Sequence, residues 1–216
     1  MTVTEPRVTV VRTSKEVVRY SLFERIVHWV VGVTFVYLLL SGMALAYPRM
    51  AWLANGLGGG QTMRAAHPWV GVVFTAGLLV MVFMWAGAMR FDKTDREWVR
   101  RLREYTHTGH TGLDTGRYNA GQKGYYWLVL AFGAVLLITG IPLWFPWMAG
   151  AGVRQAARII HNLAYLVMLA GFMIHVYMST VMFPGTMSGM TSGNVSRRWA
   201  SWHHPRWLRE KERVDQ

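Results

Sequence analysis

Four long apolar stretches constrain this chain more than any other feature of its sequence. Residues 22–47, 67–89, 124–147 and 158–183 are mostly apolar, and each has the roughly 20 residues a helix needs to cross a hydrocarbon layer about 30 Å thick. Backbone in lipid has no water to bond to, so such stretches fold as helices that satisfy their own N–H and C=O groups. The expected fold is an all-α membrane protein. Residues 22–183 form a four-transmembrane-helix bundle between tails at 1–21 and 184–216. Charged residues are only 16% of the chain and gather outside the apolar stretches. Trp29, Trp52, Trp69, Trp85, Trp127, Trp144 and Trp147 fall near the ends of the stretches, where amphipathic rings favour the boundary between hydrocarbon and water. The first twenty residues are polar and basic with no cleavable-signal pattern, so the first span is expected to stay in the mature protein.

Charge gives the direction of the spans. Lys and Arg number 5 up to Arg25, 2 between the first and second spans, 8 between the second and third, 2 between the third and fourth, and 6 after the fourth. Nineteen therefore fall on one side of the bundle and 4 on the other. Positive charge collects on the cytoplasmic side, so both termini and the 90–123 loop are expected there, with 48–66 and 148–157 outside. The formal charge of +12, clustered beside the spans, suits anionic lipid headgroups and not nucleic acid. With no cysteine, the chain can form neither a disulfide nor a thiolate-held cluster, and it cannot attach haem c covalently. Within the large loop Trp98, Leu102 and Tyr105 recur at helical spacing among Arg96, Arg100, Arg101 and Arg103. That pattern fits a helix lying on the headgroups or a solvated basic helix. Gly58–Gly60 reads as a turn, and no internal repeat is evident.

Four of the eight histidines, His28, His67, His161 and His175, lie in or at the edge of the spans, where ionisable side chains are rare and usually functional. His161 and His175 stand fourteen residues apart on one helix, which separates them by about 21 Å along its axis and returns them to nearly the same face. One helix thus offers a ligand near each side of the membrane. The directions of the spans put His67 at the depth of His161 and His28 at that of His175. Two imidazoles facing each other across a bundle suit a six-coordinate, low-spin haem iron, whereas zinc would want a third or fourth protein ligand. Gly32, Gly71 and Gly171, each four residues from one of the histidines, are expected to leave room for a flat macrocycle. The 14 Met residues read as adaptable packing. His107 and His110 could relay protons or merely be solvated, and no chemistry is assigned to His203 or His204.

The residues around these histidines resemble a known family, the di-haem cytochrome b, or gamma, subunit of respiratory membrane-bound formate dehydrogenases. The likeness is carried by Arg19-Tyr20, Glu24-Arg25-Ile26-Val27-His28-Trp29, Ser41-Gly42, Asn119-Ala120-Gly121-Gln122-Lys123 and Thr139-Gly140-Ile141-Pro142. It continues through His161, His175-Val176-Tyr177, Gly193-Asn194-Val195-Ser196, Trp199-Ala200 and His204-Pro205, so it covers residues 19–207. It implies two haem b groups held by His67/His161 and His28/His175, and a menaquinone or ubiquinone bound by Asn119, Gly121, Gln122 and His175. It also implies an iron–sulfur (beta) subunit and a molybdenum- or tungsten-containing catalytic (alpha) subunit as partners, assembly in the bacterial cytoplasmic membrane, and room for a higher oligomer of the complex. Electrons from formate would pass through the iron–sulfur subunit and the outer haem to the inner haem and quinone.

Physical reasoning supports part of that picture. An amide side chain and free N–H groups at a helix N-terminus can hydrogen-bond a quinone carbonyl, although Asn119 and Gln122 equally suit a plain helix cap. Four spans and two haems also fit the cytochrome b of membrane nickel–iron hydrogenases. A haem-free membrane anchor, or a transporter with histidines on its path, is the alternative of another kind.

Overall fold

The computed structural model describes residues 15–214; tail residues 1–14 and 215–216 lie outside the described residues. In chain order the elements are β1 (Glu16–Val18), α1 (Leu22–Ala46), α2 (Leu53–Gly56), α3 (Gly60–Trp85), α4 (Lys93–Arg100), α5 (Leu102–Thr108), α6 (Ala120–Trp144), α7 (Ala151–Tyr177), α8 (Ser188–Thr191), β2 (Asn194–Ser196), α9 (Arg197–His203) and α10 (Pro205–Val214). Four helices, α1, α3, α6 and α7, are long and apolar enough to cross a membrane. The fold is the helical membrane bundle expected.

Local chemistry sets where the spanning helices begin and end. α1 opens with a capping box in which Glu24 N–H donates to Ser21 Oγ at 3.2 Å and Ser21 N–H to Glu24 Oε2 at 2.8 Å, satisfying two donors that a helix start leaves open. α6 opens with the same device, built from Asn119 and Gln122. Both helices end two residues before a proline, at Ala46 and Trp144, because Tyr47 and Phe145, the residues before Pro48 and Pro146, are pushed out of the helical region. α3 begins at Gly60, after Gly58 and Gly59 at φ 88° and 90°, the left-handed region open to glycine. Its start lies seven residues before the apolar stretch, and α7 likewise starts at Ala151, ahead of 158. Both extensions carry polar residues. In the second, Arg154 folds back to donate to the Pro146 and Ala149 carbonyls at 3.1 and 2.6 Å.

α1 packs on α3 and α6 on α7, and the two hairpins meet through α3–α6 and α1–α7. In lipid there is little hydrophobic drive between helices, so close fit and small residues hold them together. A Cβ on Gly77 would lie 2.6 Å from Val31 Cγ2, and one on Gly133 would overlap Leu78 Cδ1, so a larger residue at either place would force the facing side chain to shift. The middle of the bundle is an apolar layer of Val31, Phe74, Leu78, Val129 and Met168, with Phe35 against it. Large side chains such as Phe83, 89% exposed, point outward, as a lipid-facing surface would.

Apart from α2, which links α1 to α3 at the other end, the remaining elements gather at one end of the bundle, where α1 and α6 begin and α3 and α7 finish. β1 pairs antiparallel with β2, Val17 opposite Val195, and Val195, Trp199, Ala200, Trp207 and Leu208 form a small core with Val17. Arg19 is buried within it. Its guanidinium lies 4.6 Å from the Trp207 ring centre and 5.1 Å from that of Trp199, donates to the Arg117 carbonyl at 2.6 Å and meets His204 Nε2 at 3.2 Å. The loop pattern, which fits a helix on the headgroups or a solvated basic helix, is two helices, α4 and α5, folded onto the protein. Trp98 and Tyr105 are buried against Ala120 and Phe183, and Lys123 forms a buried ion pair with Asp95 at 2.6 Å.

Candidate functional site

α7 places His161 and His175 near opposite ends of the bundle, and each meets one partner from another helix. His28, in the second turn of α1, faces His175 with 6.1 Å between ring centres. His67, in the third turn of α3, lies within electrostatic reach of His161. All four are half-buried, and among the described residues no third His, Asp or Glu joins either pair. A metal bound at about 2 Å by one nitrogen of each ring would set the ring centres about 6 Å apart, the spacing seen at the capped end. Two nitrogen donors without further protein ligands suit a haem, whose macrocycle supplies the other four. Gly32 has nothing within 4 Å of a Cβ position, and Gly71 only Leu38 Cδ2 at 4.0 Å, so there is open space beside His28 and His67. Gly171 differs: its Cβ position is 3.3 Å from Tyr125 Cε2, so its smallness serves α6–α7 packing. Tyr125 itself stacks on His175, 4.7 Å centre to centre and 10° from parallel.

The far-end histidines are held by hydroxyls. Ser41 Oγ lies 2.7 Å from His67 Nδ1 and Thr139 Oγ1 lies 2.8 Å from His161 Nδ1. Each hydroxyl donates its own hydrogen to the carbonyl four residues back, Tyr37 and Val135, at 2.7 Å in both cases. The following glycines leave room for the rings, since a Cβ on Gly42 would lie 3.8 Å from His67 Cε1 and one on Gly140 3.7 Å from His161 Cε1. The two hairpins thus repeat one another at this end, a repeat that the sequence hid. At the capped end His28 Nδ1 is buried with no hydrogen-bond partner.

The remaining candidate residues sit where α6 begins. Asn119 and Gln122 are brought together by their capping box, with both N–H···O distances 3.0 Å. The Asn119 amide donates to Tyr105 Oη at 3.4 Å, and a Cβ on Gly121 would meet Trp98 Cη2 at 3.0 Å. Burial pushes the Tyr105 phenol up to about 12, against the opposing hydrogen bond from Asn119, so it remains a neutral donor and acceptor. Tyr105 packs tilted against Phe183, 4.7 Å between centres. Phe183 follows the π-turn Met178–Met182 that ends α7, which links this corner to the chain just beyond His175.

Sequence reasoning missed the work of several polar residues. Glu24 accepts from Arg117 at 2.7 Å and from Trp85 Nε1 at 2.8 Å, and Arg25 and Trp29 bind the carbonyls of Thr191 and Met190, fastening the start of α1 to the tail. His110 packs tilted against Trp202, 4.3 Å between ring centres. His204, given no chemistry, is fully buried and holds the Gly116 carbonyl at 2.7 Å. Only the basic and aromatic character of the 197–208 segment hinted at such a clamp.

Residues 19–193 match the prokaryotic cytochrome b561 family. The cytochrome b556(Fdn) subunit of the nitrate-inducible formate dehydrogenase of Escherichia coli (strain K12) is 35% identical over 206 residues, 94% of each chain. The cytochrome b556(fdo) subunit of formate dehydrogenase from the same organism is 35% identical over 197 residues, covering 90% of this chain and 92% of the relative. The formate dehydrogenase cytochrome b556 subunit of Haemophilus influenzae is 31% identical over 199 residues, covering 90% and 83%. The chain belongs to the prokaryotic cytochrome b561 family, a multi-pass protein of the bacterial cytoplasmic membrane whose family implies haem b.

Proposed function

We propose that this chain is the cytochrome b subunit of a formate dehydrogenase complex, carrying electrons from an iron–sulfur partner across the membrane through two bis-histidine haem b groups to quinone. The carrying observation is the pair of histidine pairs set at opposite ends of one bundle and joined by α7, with His28 and His175 6.1 Å apart. The kinship with formate dehydrogenase cytochrome b556 subunits supports the donor. Haem, when bound, supplies a one-electron couple that amino-acid side chains lack. The chain's own part is to present neutral imidazole nitrogens at fixed depths and to keep water from the apolar layer between them.

In this reading the capped end is cytoplasmic, as the distribution of Lys and Arg indicates, and the His67–His161 end is outer, towards the iron–sulfur subunit and the molybdenum- or tungsten-containing subunit that oxidises formate. Quinone binds beside His175 at the start of α6. There the Gln122 side-chain NH2 is the free donor of the capping box, and the Asn119 amide becomes available when the Tyr105 ring yields. Menaquinone and ubiquinone both present the carbonyl this site would hold. The test is a reduced-minus-oxidised absorption spectrum of the purified complex after adding formate. Two low-spin b haems per chain reduced by formate are expected. Reduction by hydrogen but not by formate would assign the chain to a hydrogenase, and absence of haem would leave it a membrane anchor.

A further inference from the structure

The two histidine pairs differ in what stands behind them. At the far end, both hydroxyl hydrogens are already given to helix carbonyls, so each hydroxyl can only accept from its histidine. The proton of His67 and of His161 is therefore on Nδ1. Both Nε2 lone pairs are left bare. At the capped end no such acceptor is present: His28 Nδ1 is buried without a partner, and His175 lies against the face of Tyr125, with no hydrogen bond to its ring among the described residues.

We propose that Ser41 and Thr139 are positioning residues that set the outer haem's potential below that of the inner haem, by accepting the Nδ1–H of its two ligands. The inference rests on the bis-histidine reading above. An acceptor behind Nδ1 fixes the tautomer and ring orientation and raises the basicity of the ligand. A more basic nitrogen pair favours the oxidised metal, and second-shell hydrogen bonding is among the means by which a protein tunes a haem. The asymmetry makes the outer centre the reductant of the two, so that inward electron flow is favoured by the chain itself. The matched geometry of the two halves, hydroxyl then glycine against each ring, supplies both ligands of one centre with the same device.

The experiment is a redox titration, with haem counted first, of the purified complex carrying Ser41→Ala, Thr139→Ala or both. Fewer than two haems per chain in the parent complex would overturn the bis-histidine reading itself. With two haems present, each alanine variant should raise the midpoint potential of one haem, by an amount on the order of a tenfold change in its reduction equilibrium, about 59 mV. The other haem should not move, and the g-values of the shifted haem should change. Unchanged potentials in the double variant, or a shift confined to the haem lost in His28→Ala, would overturn the proposal. Should alanine unseat the haem, Ser41→Thr and Thr139→Ser decide, because both keep the acceptor. They should hold the parent potential, and a shift in them as large as that expected for alanine would overturn it.

Discussion

At the scale of single residues, the pairing of the histidines is the most exposed part of the proposal. Replacing His67 or His161 with Ala should remove the outer haem, and His28→Ala or His175→Ala the inner one, because each iron loses half of its protein ligation. Haem per chain should fall toward one, read by pyridine haemochrome and by which spectral component disappears; retention of both haems after any of these changes would break the pairing. Asn119→Ala and Gln122→Ala should leave both haems in place and slow their reoxidation by quinone, followed by stopped-flow after formate reduction. Unaltered reoxidation would move the quinone elsewhere. The histidines stood out in the sequence because charge-bearing rings are rare in apolar spans. Ser41 and Thr139 did not. A hydroxyl in a membrane helix ordinarily bonds the carbonyl a turn back, as both do here, and only the fold reveals the ring on the other side of the oxygen.

Among the elements, α4 and the tail are each fastened in part by buried polar contacts. Lys123 and Asp95 are each about 5% exposed, and breaking a buried pair by removing one partner is costly. Asp95→Ala should destabilise the α4–α6 contact by about 3 kcal/mol, detectable as earlier proteolysis of the 90–119 segment on heating; an unchanged cleavage profile would show the pair to be idle. The tail carries a pH dependence. The Arg19 guanidinium can only donate, so His204 Nε2 accepts and its proton sits on Nδ1 facing the Gly116 carbonyl. Burial first, and the Arg19 charge next, hold His204 well below the usual histidine range. Burial, with His110 and Arg19 nearby, pushes His203 down to about 4. A histidine with a lowered folded value stabilises the fold above its unfolded pKa of about 6.5, and that contribution is lost as pH falls from there toward about 4. Hydrogen exchange in 197–214 should therefore quicken, beyond its intrinsic pH trend, between pH 6.5 and 4 while α6 and α7 stay protected. Equal protection of the tail at both pH values would refute this. Beyond the basic and aromatic character of 197–208, no local pattern announced the clamp, because its partners are up to 185 residues apart and periodicity reports only neighbours. The same limit explains α4 and α5: helical spacing showed one apolar face but not what would cover it.

For the whole molecule, hydropathy made the four spans legible while missing the first turns of α3 and α7. There Gln61, Thr62, Arg64 and Arg154 continue the helices beyond the apolar stretch. The proposed orientation has a direct test, because the chain has no cysteine. Single Trp52→Cys and Glu210→Cys variants, treated with a membrane-impermeant thiol reagent in right-side-out and inverted vesicles, should label from opposite faces. Position 52 should react from outside and position 210 from the cytoplasm, and the reverse pattern would invert the bundle and the direction of charge transfer with it. The unbroken run of α7 from His161 to His175 has a consequence for how such a chain can change over evolutionary time. One residue inserted between them would advance the lower histidine by about 1.5 Å and swing it by about 100°, so one centre would be lost whichever end held its place. Descendants of this sequence can lengthen or trim the turns at 48–59 and 145–150 as their partners require. Between residues 161 and 175 they can exchange the side chains that face outward but never count differently.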